Sequence, residues 1–200
     1  SSHIGRLGEY VEAAAAAGVI GLVTCNNHGG GQLLCPHGGI DARMSPNPIA
    51  VGVPKGGDYP IVVDMTTSVV AEGKIRVMRN RGEELPEGWA IDSDGKPITS
   101  PHAFYGPPRG AILPFGGIAA HKGYALAVVL DILAGALGGA GCSCKDGPSG
   151  GNGVFIMAID IKAFTGEDTF QIEVDTFVDY LRSSRLAEGF DEILMPGEVE

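Results

Sequence analysis

The stretch YPIVVDMTTSVVAEGKIRVMRNRG, from Tyr59 to Gly82, constrains the fold of this chain more than any other. The unbroken apolar run Ile61-Val62-Val63, closed by Asp64, predicts a buried strand that delivers a carboxylate to its carboxyl end. Thr66-Thr67-Ser68 follows, and three hydroxyls in a row suit the free N–H groups of a helix start. Val69, Val70, Ile75, Val77 and Met78 then mark one face of a helix that also carries Lys74, Arg76, Arg79 and Arg81. Such a junction is a common connection. It is also a place where hydroxyls and backbone N–H groups hold an anionic ligand.

Before this unit, the spacing of Leu7, Tyr10, Val11 and Ala14 predicts a helix over Gly5 to Ala17, stopped by Gly18. Val19 to Thr24 reads as a buried strand and Ile49 to Val53 as a short one. Between them lies a long glycine- and histidine-bearing loop, Asn26 to Pro46, of a length that usually serves function. After the unit, Asp94-Gly95 between Ala90-Ile91 and Pro97-Ile98 predicts a small hairpin. Gly110 to Phe115 and Val154 to Ile161 read as strands. His121 to Leu137 reads as a helix buried nearly all round, and Val174 to Leu186 as an amphipathic helix with Phe177, Tyr180 and Leu181 on one side. Strands alternating with helices predict an α/β layered fold.

Two hundred residues are enough for one domain with a real core, or for a large piece of one. Glycine is the compositional anomaly, at 32 residues, more than twice the usual ~7%. A net charge of −10 argues against a general nucleic-acid binder. Four cysteines do not make a disulfide scaffold in a chain of this size. No secretory pattern opens the chain, and the most apolar segment, Gly123 to Leu137, carries Asp131 and is shorter than a membrane span. The expectation is a soluble, cytoplasmic protein with no membrane partner.

Among reactive side chains, His3 precedes the first helix, and an imidazole suits proton transfer near neutral pH. His3, His28 and His37 match no zinc spacing and have no carboxylate placed as a further ligand, so no metal is expected. Cys142-Ser143-Cys144 is C-x-C rather than C-x-x-C and reads as ordinary cysteines. Lys122, at the start of the apolar helix beside Gly123, suits a phosphate or carboxylate. Neither G-x-G-x-x-G after a strand nor a Walker pattern is present, so the dinucleotide-fold and P-loop fingerprints are lacking.

Seven stretches in order, SSHIGRLGEYVEAAA, the NN and PHGG of the long loop, NPIAVGVP, VVDMTTSVVAEGKI, PEGWAIDSDGKPIT, HKGYALAVVLDILAGAL and ILMPGE, resemble the malate/L-lactate dehydrogenase family. Ser45-Pro46-Asn47 departs from the Gly-Thr-Asn usual there. The resemblance implies a three-layer α/β fold with a mixed sheet, non-Rossmann and like that of L-sulfolactate dehydrogenase. It implies an oxidoreductase that moves a hydride between NAD or NADP and a small 2-hydroxy or 2-keto acid, assembled as a homodimer. His3 matches a family proton acceptor. Asn27 matches a cofactor contact, as do Val63, Asp64, Met65, Thr66, Thr67, Ser68 and Val69 at the strand–helix junction. His121 with Lys122, and Pro196, Gly197 and Glu198, match two more.

The same resemblance makes residues 1–200 most of one cofactor-binding core, with family segments at both ends expected beyond them. A competing expectation is a catalytically incomplete module or fragment that holds a nucleotide without chemistry.

Overall fold

The computed structural model describes residues 3–29, 31–57, 59–145 and 151–199. They form two compact units. The first comprises the N-terminal residues through Ile4, Thr24–Ile49 and Met65–Phe155; the second comprises Gly5–Val23, Ala50–Asp64 and Ile156–Glu200.

In chain order the elements are α1 (Gly8–Ala16), β1 (Val19–Cys25), β2 (Pro48–Val53), β3 (Ile61–Thr66), α2 (Glu72–Arg81), β4 (Ala90–Ile91) and β5 (Pro97–Ile98). Then come α3 (Pro101–Tyr105), β6 (Ala111–Ile112), α4 (Ala120–Asp131), β7 (Val154–Asp160) and α5 (Glu167–Arg182). The strands make a four-stranded sheet in the order β3-β2-β1-β7 and a three-stranded sheet in the order β5-β4-β6. The small sheet is antiparallel, with Ala90 opposite Ile98 and Ile112. The expected Asp94-Gly95 hairpin is present, and Asp92 Oδ1 accepts the N–H groups of Asp94 and Lys96.

In the second unit, Leu7, Val11 and Ala15 give α1 its buried face. Strand β2 approaches this helix so closely that a Cβ on Gly52 would stand 2.4 Å from the Val11 carbonyl oxygen. The first unit is built on Phe104, Ile75, Ile112, Leu85, Val70 and Ala90. Above this core the Tyr105 hydroxyl donates to Glu72 Oε1 at 2.5 Å, and Arg79 lies 4.3 Å over the Tyr105 ring. Burial pushes the Glu72 carboxyl up, but hydrogen bonds from Arg76 and Tyr105 outweigh it and hold the group below its ordinary 4.5.

The folded-state value of Glu72 thus lies below the unfolded one. Its contribution to stability is present above about pH 4.5 and is lost as pH falls through the depressed value. Tyr105→Phe is expected to cost about 1 kcal/mol at pH 7. The difference between wild type and variant should shrink in urea unfolding curves taken progressively below pH 4.5. An unchanged difference at the lowest pH would remove the Glu72 linkage.

Three expectations are corrected. Helix α2 does not begin at Thr66-Thr67-Ser68: it begins at Glu72, after an extended Ala71 that makes no side-chain cap. Residues 61–66 are strand instead, and Val69 donates its N–H to the Leu113 carbonyl, so the chain stays extended past the hydroxyls. The apolar helix is not buried all round. Val129, Ile132 and Leu137 are exposed, and the last six residues, Ile132–Leu137, wind as π-helix. Helical structure runs from Gly117 to Leu137, 21 residues, so length alone does not set it apart from a membrane span. Asp131 ties it inward, accepting from Asn26 Nδ2 at 2.6 Å and from the Ser143 N–H at 3.3 Å. Helix α5 starts seven residues before Val174, behind Gly166, and ends at Arg182. Phe177 and Tyr180 are exposed, because the covered strip is narrow and centres on Val178.

Candidate active site

In the first unit, the end of β3 is joined to the start of α4 through one short strip, Leu113 to Phe115. Ser68 pairs with Pro114 in an antiparallel bridge. Val69 donates to Leu113 O at 2.9 Å, and Phe115 donates to Thr67 O at 3.1 Å. On the other side of the strip sits Gly123, where a Cβ would stand 2.4 Å from Phe115 O and 2.9 Å from Phe115 N. Only glycine permits that approach, and it sets His121 and Lys122, both exposed, beside the junction. Gly116 and Gly117, with φ of 114° and 55°, turn the chain from the strip into the helix.

The loop residue His37 closes the group, its ring meeting that of His121 edge to face at 5.8 Å between centroids. A cavity of about 100 Å³ lies here, lined by His37, Val69, Leu113, Pro114, Gly117 and Ala120 among others. Cys35 forms part of its wall; burial pushes that thiol up, away from the reactive thiolate.

The hydroxyls at the junction have local work. Thr66 Oγ1 donates to Pro46 O at 3.0 Å and accepts from the Ser68 N–H at 3.3 Å; Ser68 Oγ donates to Val70 O at 2.7 Å. The expected cradle of free N–H groups is therefore not present at Ser68 and Val69, whose N–H groups are engaged. Thr67 Oγ1 differs. It is buried and has no hydrogen-bond partner among the described residues. A ligand group reaching this point would find one donor already desolvated, while Lys122 stands exposed in the first turn of α4.

Asn27 and His3, also singled out in the sequence, lie in the same unit. Asn27 Oδ1 accepts the Gly29 N–H at 3.1 Å, which shapes the loop after β1. Its neighbour Asn26 is buried and bonds Asp131, Gly141 and Gly153. His3 is exposed in the segment before α1. Among the described residues no three His, Cys, Asp or Glu side chains gather as a metal site.

The second unit carries Val63, Asp64 and the Pro196-Gly197-Glu198 turn. Asp64 Oδ2 accepts the Gly8 N–H at 2.7 Å, a contact that fixes the first turn of α1. Val62 donates to Pro196 O at 2.9 Å, which docks the turn on β3. Gly197 has φ +97°, and a Cβ there would press on Val62 at 3.1 Å. Glu198 accepts from the Met195 N–H at 2.8 Å and pairs with Arg182; these two contacts, in that order, hold its carboxyl below the ordinary range.

Sequence reasoning missed the Leu113–Gly117 strip and the His37–His121 contact. The signal was the L-P-F-G-G run, whose two glycines precede H-K-G by only three residues.

Comparison with known proteins bears on what these residues serve. The family model for malate/L-lactate dehydrogenase matches residues 1–200. An L-lactate dehydrogenase of Cupriavidus necator is 42% identical over 204 residues, covering 100% of this chain and 58% of that protein. A malate dehydrogenase of Pyrococcus horikoshii is 37% identical, covering 99% of this chain and 56% of that one. The sulfolactate dehydrogenase structure from Methanocaldococcus jannaschii superposes with a TM-score of 0.79 at 36% identity, over 99% of this chain and 56% of that chain. The chain thus spans somewhat over half the length of these relatives. With every described element inside one matched region, the chain belongs to the malate/L-lactate dehydrogenase family.

Proposed function

We propose that this chain carries the cofactor-binding part of an NAD(P)-dependent oxidoreductase acting on a small 2-hydroxy acid or its 2-keto form. The observation that carries the reading is the match of residues 1–200 to relatives named for lactate, malate and sulfolactate. The three-layer, mixed-sheet arrangement and the homodimer go with the same reading.

The residues present fit such a cofactor. Thr67 Oγ1 is a buried donor without a partner among the described residues, and Lys122 is an exposed cation in the first turn of α4. The cavity of about 100 Å³ is well below the ~300–1,000 Å³ that encloses a whole drug-sized ligand, so it takes only a small group. By the family resemblance, Asn27, Met65, Thr66, Ser68, Val69 and His121 of the first unit match cofactor contacts, and so, taken by themselves, do Val63, Asp64, Pro196, Gly197 and Glu198 of the second. When bound, the nicotinamide supplies the hydride acceptor or donor. Lys122 orients an anionic group through a charge-assisted bond, and His3 takes the hydroxyl proton in oxidation or returns it in reduction.

Titration with NADH and NADPH, followed by a panel of 2-keto acids on the same sample, tests the reading. Saturable binding with turnover is the expected result. Binding without turnover would favour the nucleotide-holding module, and no binding would end the cofactor assignment.

A further inference from the structure

We infer that the cavity between the 35–39 loop and the Leu113–Gly117 strip receives the side chain of the 2-keto acid, and that it selects a short uncharged alkyl group over a second carboxylate or a sulfonate. The inference rests on the oxidoreductase reading above and names its substrate class.

The cavity lies wholly in the first unit and holds about 100 Å³. A water molecule takes ~30 Å³ of liquid, so the space fits about three groups of that size, enough for a short alkyl chain. Val69, Leu113, Pro114 and Ala120 give it apolar walls, joined by Cys35 and His37. The first two walls are pinned through the backbone, since Val69 donates to Leu113 O at 2.9 Å and Leu113 donates to Trp89 O at 3.0 Å. Side-chain volume therefore sets the size of the space. Ala120, the first residue of α4, contributes only a methyl group.

Among the described residues no Lys, Arg, Asp or Glu lines the cavity. Burial pushes the Cys35 thiol up, so it stays uncharged at neutral pH, and its Sγ donates to Ile112 O at 3.5 Å. The His37 ring is held edge to face against His121. A carboxylate or sulfonate entering here would leave water without a lysine or arginine to pair it, and a desolvated unpaired charge is costly. An alkyl group gains from the same transfer. The place also suits a substrate side chain. By the family resemblance Val69 and His121 match cofactor contacts; Val69 is in the wall, and His121 touches His37. A group seated between them adjoins the cofactor, as the substituent of a carbon that exchanges a hydride must.

The experiment measures kcat/KM of the whole chain for pyruvate, 2-oxobutanoate, 2-oxopentanoate, oxaloacetate and sulfopyruvate, in wild type, Leu113→Ala and Ala120→Leu. NADH and NADPH titrations and thermal melts accompany each protein. Wild type is expected to favour pyruvate or 2-oxobutanoate over oxaloacetate and sulfopyruvate by about a hundredfold or more, the scale of one unpaired buried charge. Leu113→Ala widens the cavity and should move the preference toward 2-oxopentanoate by about tenfold or more, the scale of one methylene in an apolar pocket. Ala120→Leu fills it and should move the preference toward pyruvate by a similar factor. Opposite shifts in chain length at unchanged nucleotide affinity would not come from a purely structural role. The wild-type comparison decides the charge preference whether or not a variant folds. If wild type turns over keto acids but favours oxaloacetate or sulfopyruvate, the cavity assignment is overturned while the oxidoreductase reading stands. The same holds if folded variants change nucleotide affinity and not chain-length preference, or change neither. If no keto acid is turned over with either nucleotide, the oxidoreductase reading fails and this assignment with it.

Discussion

Replacing His3 with alanine is expected to lower turnover of a 2-keto acid by roughly two to four decades, the usual loss when a general acid–base group is removed. Reduction of the keto carbon leaves an alkoxide that must gain a proton as the hydride arrives, and oxidation needs the reverse. Imidazole is the side chain whose ordinary pKa lies nearest to working pH, so it can serve in both directions. His3 stands exposed in the described structure, ahead of a helix whose first turn Asp64 holds through the Gly8 N–H. NADH affinity should change little, because a proton-transfer group contributes mainly to the reacting state. The measurement is kcat at saturating NADH and keto acid beside a separate NADH titration. Turnover equal to wild type would take His3 out of the mechanism; equal losses in binding and turnover would make it a structural residue.

Phe104→Ala should have the largest effect on stability, about 3–5 kcal/mol. The ring has no exposed surface and is the largest fully buried side chain among the described residues, enclosed by Val70, Ile75, Leu85, Ala90 and Ile112. It also meets Tyr105 edge to face at 5.0 Å, and Arg109 lies over it at 5.6 Å. Truncation removes the transfer energy of the ring and leaves a void that helices α2 and α3 cannot close without moving. Urea unfolding would report the loss, and thermal unfolding a fall on the order of 10 °C. A cost below about 1 kcal/mol would show that the neighbours collapse into the space, contrary to the close packing of interiors.

These two residues differ in how far they could be read in advance. His3 carries its chemistry in its side chain and sits in a short stretch with family character, so sequence alone singled it out. Phe104 lies in H-A-F-Y-G, which has no periodicity long enough to mark a buried face, and only the packing of α2 and the small sheet shows its place. The start of α2 failed for a related reason. Hydroxyls preceding an amphipathic run are a good local helix signal, but Val69 found a partner more than forty residues away in Leu113. Non-local strand pairing overrode the local preference. The start of α5 could have been found, since Gly166 is followed by Glu167 and Asp168, the acids favoured in a first turn.

What the sequence determined was whatever rests on neighbours along the chain. The α1 stop at Gly18, the Asp94-Gly95 hairpin and the strand from Ile61 to Asp64 are set by local conformational preference and apolar patterning. The order of family motifs from His3 to Glu198 belongs here too, and with it the family itself. What only the tertiary structure decided was which side chains meet. Residues 66–69 lie about fifty positions from His121 and Lys122, and the two segments are joined because the Leu113–Phe115 strip hydrogen-bonds one and packs against Gly123 of the other. Local preference fixes the elements, but burial and backbone pairing across long loops fix their partners, and no short window of sequence contains that information.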